Sequence, residues 1–191
     1  DDALMPGTDG PHRPRPTALV GIPGTGSDAD HVTRSFQRAA ADLGVELIAL
    51  DPTTPLIDGH LRGLERAAGA HRSILVGGVS IGAAIALEWA LRDTDRRCAG
   101  VLAALPAWSG DAHSAPAAAS AGATADALER DGLEATIAAM ASSSPDWLAA
   151  ELTRSWRGLY PGLAGMLREA ARHRAPTPAE IAGLTVPLAI V

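Results

Sequence analysis

Ser80 stands in Gly78-Val79-Ser80-Ile81-Gly82. A serine hydroxyl between two such glycines can act as a nucleophile toward an acyl carbonyl if it sits on a sharp strand-to-helix turn. The neighbouring sequence fits that turn. The apolar run Ile74-Leu75-Val76-Gly77 leads in, and a helix-like stretch from Ile81 to Leu91 leads out. The turn is tight enough that side chains in place of the glycines would meet the strand and the helix. The helix start offers backbone N–H groups and a positive dipole end to a developing oxyanion. The chain holds 20 glycines in 191 residues, so the five-residue pattern alone is weak and its context decides. The competing reading is a glycine-rich turn whose serine merely caps a helix.

The elements that must position Ser80 read as alternating strands and helices. Thr17 to Ile22 is a short buried strand, followed by the tight loop Pro23-Gly24-Thr25-Gly26. Ser27 is expected to cap a helix with Asp30 three residues on, and Val32, Phe36, Ala40 and Leu43 fall at helical spacing before Gly44. Val45 to Leu50 is the next strand, stopped by Asp51-Pro52. His60 to Ala68 is a helix closed by Gly69, and Arg97 to Leu105 is an apolar strand ending at Pro106. Strands alternating with helices of this length predict an α/β fold with a mostly parallel sheet and right-handed crossovers.

After Trp108 the pattern changes. Residues 109–122 are rich in Ala, Ser, Gly and Pro, and three helical stretches are expected after them. Leu133, Ile137 and Met140 share one face of the first; Leu148, Leu152 and Trp156 share one face of the second; the third runs from Leu163 to Ala171. Thr177-Pro178-Ala179-Glu180 is a capping box, and Val186 to Val191 reads as a further strand. The expected organisation is an irregular lead-in over 1–16, a core over 17–108 and 177–191, and a helical lid over 109–176.

Composition narrows the chemistry. At 191 residues the default is one domain with a sizeable core; hydrophobic residues make up 47% and charged residues 20%. A net charge of −6 without a basic stripe argues against nucleic acid as a partner. The single cysteine, Cys98, is expected in the core and cannot form an internal disulfide. There is no run of 18 apolar residues and no signal-peptide pattern at Asp1-Asp2-Ala3-Leu4, so a cytoplasmic setting with no membrane partner is expected. No zinc-type Cys/His spacing, dinucleotide fingerprint or phosphate-binding P-loop occurs, so neither a metal nor a cofactor is expected. Asp51 before Pro52 is read as a cap, and Asp93, Asp95, Arg96 and Arg97 as a solvated loop.

Taken together, Gly21 to Asp28, the Ser80 turn and the strand Leu184 to Val191 resemble the α/β-hydrolase superfamily, over roughly residues 17 to 191. The resemblance implies a mostly parallel sheet with helices on both faces and a helical cap insert. It makes Ser80 the catalytic nucleophile and the Thr25 and Ile81 amides the oxyanion hole. Gly24 matches the family glycine beside the substrate, while Pro23 stands where the family usually carries a histidine. The family's acid follows the strand matched by 186–191, with the histidine later still, so both are expected beyond residue 191 and the family's last strand and helix are missing. Its first strands are not evident in 1–16.

Local substitutes are few. Asp111 follows a strand, His113 is too near it in sequence, His173 ends a helix of the insert, and His12, His31, His60 and His71 are expected at the surface. Two readings therefore stand. One is a serine hydrolase of an ester or related acyl substrate, small or hydrophobic, with Trp108 and the 124–173 helices walling the acyl pocket. The other is a non-catalytic hydrolase scaffold or binding protein.

Overall fold

The apolar runs do become strands, and they pair into one sheet. The computed structural model describes residues 14–191. β1 (Ala18–Ile22), β2 (Glu46–Ala49), β3 (Ile74–Val79), β4 (Cys98–Ala104) and β5 (Leu188–Ile190) lie in the order β2-β1-β3-β4-β5, every pair parallel. β1 is buried along its whole length and β3 along most of it. Central parallel strands covered on both faces read as continuous apolar runs, not as alternation.

Helices cover the two faces. α1 (Ala29–Leu43) turns Val32, Phe36 and Ala40 onto Leu19. α2 (Leu56–Ala70) and α3 (Ile81–Arg92) pack on the other face, around Val20, Ile22, Val76, Ile81, Ile85 and Trp89, with Cys98 buried among them. α1 is capped by Asp28, whose side chain accepts the His31 N–H at 3.1 Å, and not by Ser27 as the sequence suggested. Ser27 is turned inward and buried. Asp51 accepts the Ala29 N–H at 3.1 Å, so it caps the same helix from across the sheet edge. The Asp93–Arg97 segment is more ordered than a solvated loop. Asp93 accepts from Arg97 Nε and the Cys98 N–H, and the Arg97 guanidinium lies 5.8 Å from the Trp89 ring centroid.

Between β4 and β5 the chain makes a 3₁₀ turn (Ala112–Ser114) and then α4 (Pro116–Asp131), α5 (Leu133–Ser142), α6 (Asp146–Leu159), α7 (Leu163–Arg172) and α8 (Pro178–Ile181). Four long helices thus stand where three were expected, because α4 begins inside the alanine-rich stretch. Alanine is the strongest helix former, and Pro116 occupies the first helical position, where proline is favoured. Ala125, Leu128, Ile137, Trp156, Leu163 and Leu167 close a small core inside this insert, while Met166 and Ala170 of α7 join the main core. Thr177 and Glu180 form the expected capping box. Residues 14–16 are irregular; the rest of the expected lead-in, His12 included, lies outside the described residues. Among the described residues no helix is long and apolar enough to cross a membrane, and no group of three or more His, Cys, Asp or Glu could hold a metal ion.

Candidate active site at the carboxyl edge of the sheet

Ser80 joins β3 to α3 with φ 55° and ψ −116°. A non-glycine residue seldom adopts such angles, and holding one there costs about 1–3 kcal/mol. Two close approaches enforce the bend. A Cβ on Gly78 would stand 2.1 Å from the Gly82 carbonyl oxygen. One on Gly82 would stand 2.5 Å from that of Ile22 and 2.7 Å from that of Pro23. Both glycines are therefore required by backbone, which cannot swing aside as a side chain can. The Ser80 N–H donates to the Ala104 carbonyl at 2.9 Å, fixing the bend to the end of β4. The Ser80 hydroxyl is only partly buried and has no hydrogen-bond partner among the described residues.

The loop after β1 lies against this bend. A Cβ on Gly24 would come within 3.5 Å of Ser80 Cβ and 3.4 Å of the Val79 carbonyl, so the loop backbone passes beside the serine. The Ser27 N–H donates to the Gly24 carbonyl at 3.0 Å and closes the turn. Ile81 is the first residue of α3, where amides lack an intrahelical partner. Neither its amide nor that of Thr25 donates to a described group. Ser80, Ile81, Gly24 and the Gly24–Thr25 peptide are thus brought together.

Trp108 has a different setting from the one expected. Its indole Nε1 donates to the His173 carbonyl at 3.1 Å. Its ring lines an apolar cleft of about 290 Å³ with Ala84, Leu87, Pro106 and Ile181. The far wall of that cleft comes from residues 175–181 and Ile190, not from the helices between 124 and 173. Ala84 and Pro106 place it close to the turn: Ala84 is on the first turn of α3, and Pro106 lies two residues past the carbonyl that holds the Ser80 amide.

No histidine among the described residues is bonded to Ser80. His31 Nδ1 is 3.8 Å from a Glu151 oxygen, His71 shares a hydrogen bond with Thr17, and Asp111 and His113 are exposed, one just before the 3₁₀ turn and one within it. His60, expected at the surface, is buried in α2, and burial pushes its pKa down to about 4. Ile57, His60 and Leu64 share one buried face, a spacing present in the sequence. His173 Nε2 lies 3.2 Å from Glu88 Oε2, in contact with that carboxylate but poorly aligned for a hydrogen bond. Burial alone would raise the Glu88 pKa, but His173, Arg92 and Arg174 outweigh it and hold the carboxyl below its ordinary value. Glu88 is eight residues past Ser80, about 12 Å along the helix, so His173 is committed away from the serine.

Sequence reasoning placed Trp156 on an apolar helix face but did not find that it, Arg154 and Ser155 of α6 grip the loop beside Ser80. Ser155 Oγ donates to the Gly26 carbonyl at 2.6 Å, and Arg154 forks onto Asp28 at 2.6 and 2.8 Å. These contacts join segments more than a hundred residues apart, and no local pattern announces them.

Solved structures share this fold. A thermophilic esterase from Thermogutta terrifontis matches 91% of this chain and 70% of its own, with TM-score 0.65 and 18% identity. A carboxylesterase of the ammonia-oxidizing thaumarchaeon Nitrososphaera gargenis matches 92% and 71%, with TM-score 0.69 and 14% identity. The chain has the α/β-hydrolase fold. A bottromycin epimerase is built on the same fold, matching 93% of this chain and 73% of its own with TM-score 0.61 and 18% identity. No family model matches the sequence, and no curated protein sequence matches it. Within the α/β-hydrolase fold the reaction is set by the residues at the carboxyl edge of the sheet, since one fold carries many chemistries.

Proposed function

We propose that the protein is a serine hydrolase of ester or related acyl substrates, with Ser80 as its nucleophile. The observation that carries this reading is the main chain at Ser80, a non-glycine residue held at φ 55° between two glycines that backbone contacts make obligatory. Strain of this kind collects where a side chain must be presented at a fixed point. Ser80 Oγ attacks the acyl carbonyl as a base takes its proton. The oxygen that becomes negative is met by the Thr25 and Ile81 amides, with Gly24 leaving room for the backbone to approach. Collapse expels the alcohol and leaves an acyl group on Ser80, which water then removes.

The acyl part is assigned to the cleft walled by Trp108, whose apolar lining suits a hydrophobic or small neutral group. The insert α4–α7 serves as the cap over this edge. No described histidine is bonded to Ser80, so the base and the acid are left unassigned. The setting proposed is cytoplasmic, with a small-molecule substrate and no cofactor.

A series of p-nitrophenyl esters of increasing chain length, offered to the natural polypeptide as its gene encodes it, tests the reading. Hydrolysis should fall at least about 10³-fold in Ser80→Ala. The second reading, a non-catalytic binding protein on the same scaffold, is favoured by the unpartnered Ser80 hydroxyl. It predicts no turnover and no effect of Ser80→Ala.

A further inference from the structure

We infer that Ser155, on α6 of the insert, is a positioning residue for the Thr25 amide, acting through a relay of two peptide groups; this rests on the reading of Ser80 as the nucleophile. The Ser155 hydroxyl, itself fully buried, donates to the Gly26 carbonyl at 2.6 Å. The same peptide group carries the Ser27 N–H, which donates to the Gly24 carbonyl at 3.0 Å. That second peptide group carries the Thr25 N–H, which has no partner among the described residues and is the donor proposed above for the oxyanion. Hydroxyl, first peptide and second peptide form one head-to-tail chain. Hydrogen bonds in such a chain polarise one another, by roughly 10–30% per bond. Ser155 therefore both orients the Thr25 amide and makes it a stronger donor.

The surroundings hold the relay still. Gly26 has φ +78°, and a Cβ there would stand 2.6 Å from Trp156 Nε1, so the indole lies directly on the loop. Arg154 fixes Asp28, which caps α1 and ends the loop. On the opposite side Gly82 lets the Ile22 and Pro23 carbonyls press onto α3. Three consecutive residues of α6 thus bear on the loop from one side and the start of α3 from the other. Any movement of α6 is carried to the Thr25 amide, so the insert sets the state of the oxyanion donor.

Two measurements on the natural polypeptide test this with Ser155→Ala and, as the conservative partner, Ser155→Thr. Amide hydrogen exchange at Ser27 should run about tenfold faster in Ser155→Ala, while core amides such as Leu19 and Val76 stay unchanged. With a p-nitrophenyl ester, kcat should fall about tenfold at unchanged KM, the mark of an interaction made mainly in the transition state. Ser155→Thr should restore both. Unchanged Ser27 exchange overturns the relay whatever the activity, and faster exchange with unchanged kcat overturns the positioning role. If the unsubstituted protein turns over no ester, the hydrolase reading fails, and the relay is judged on Ser27 exchange alone.

Discussion

Glu169 of α7 closes the N-terminus of α2: its carboxylate accepts the Leu56 N–H at 2.7 Å and the Ile57 N–H at 2.9 Å. The N-cap residue itself, Pro55, offers no side-chain acceptor. A helix start needs its free amides satisfied and favours a negative charge, and here the insert supplies both. Glu169→Ala should destabilise the protein by about 1–2 kcal/mol in urea unfolding. Glu169→Gln, which keeps acceptor oxygen but loses charge, should cost less. A loss in Glu169→Gln as large as in Glu169→Ala would show that a neutral acceptor cannot replace the carboxylate, and no loss in Glu169→Gln would show that the charge contributes nothing.

The glycines of the Ser80 turn differ in kind from those of the insert. Gly78→Ala and Gly82→Ala each force a Cβ into backbone, and each should cost about 3 kcal/mol or more. A Cβ on Gly122, inside α4, meets nothing within 4 Å, and there alanine should stabilise by about 0.5–1 kcal/mol. Denaturation midpoints of the three variants test the contrast. A tolerated Gly82→Ala would mean that the approach of Ile22 and Pro23 to α3 is looser than described.

These glycines explain how much of the fold was legible in the sequence. A sharp strand-to-helix bend needs small residues at fixed places, so Gly78, Ser80 and Gly82 announced it, and apolar β-branched runs announced the strands around it. What a sequence encodes by distant contact was hidden. Ser27 and Asp28 are both good caps, and burial of Ser27 decided between them. α4 was masked because its packing stripe, Ala118, Ala125 and Leu128, is mostly alanine and reads as a linker. The setting of Trp108 depends on the His173 carbonyl, and the loop clamp on Ser155, both far away in the chain.

His60 gives the protein a pH dependence. It is 1% exposed, and neither ring nitrogen has a hydrogen-bond partner among the described residues. Burial depresses its pKa from 6.5 to about 4, against a weaker opposing pull from the Asp51 charge. Between those values the unfolded chain binds a proton that the folded chain refuses, so stability is full above pH 6.5 and falls as pH drops toward 4. The loss from this group approaches about 3 kcal/mol. Urea midpoints at pH 7.5 and 4.5 should differ less in His60→Leu than in the unsubstituted protein. An identical difference in the two would remove His60 as the cause.

The central claim is that Ser80 is a nucleophile, and a fluorophosphonate probe reads it directly. Treated with the probe and digested, the natural polypeptide should carry the phosphonyl group on Ser80, and Ser80→Ala should carry none. A peptide bearing an unmodified Ser80 after long exposure, or equal labelling of Ser80→Ala, would contradict the account.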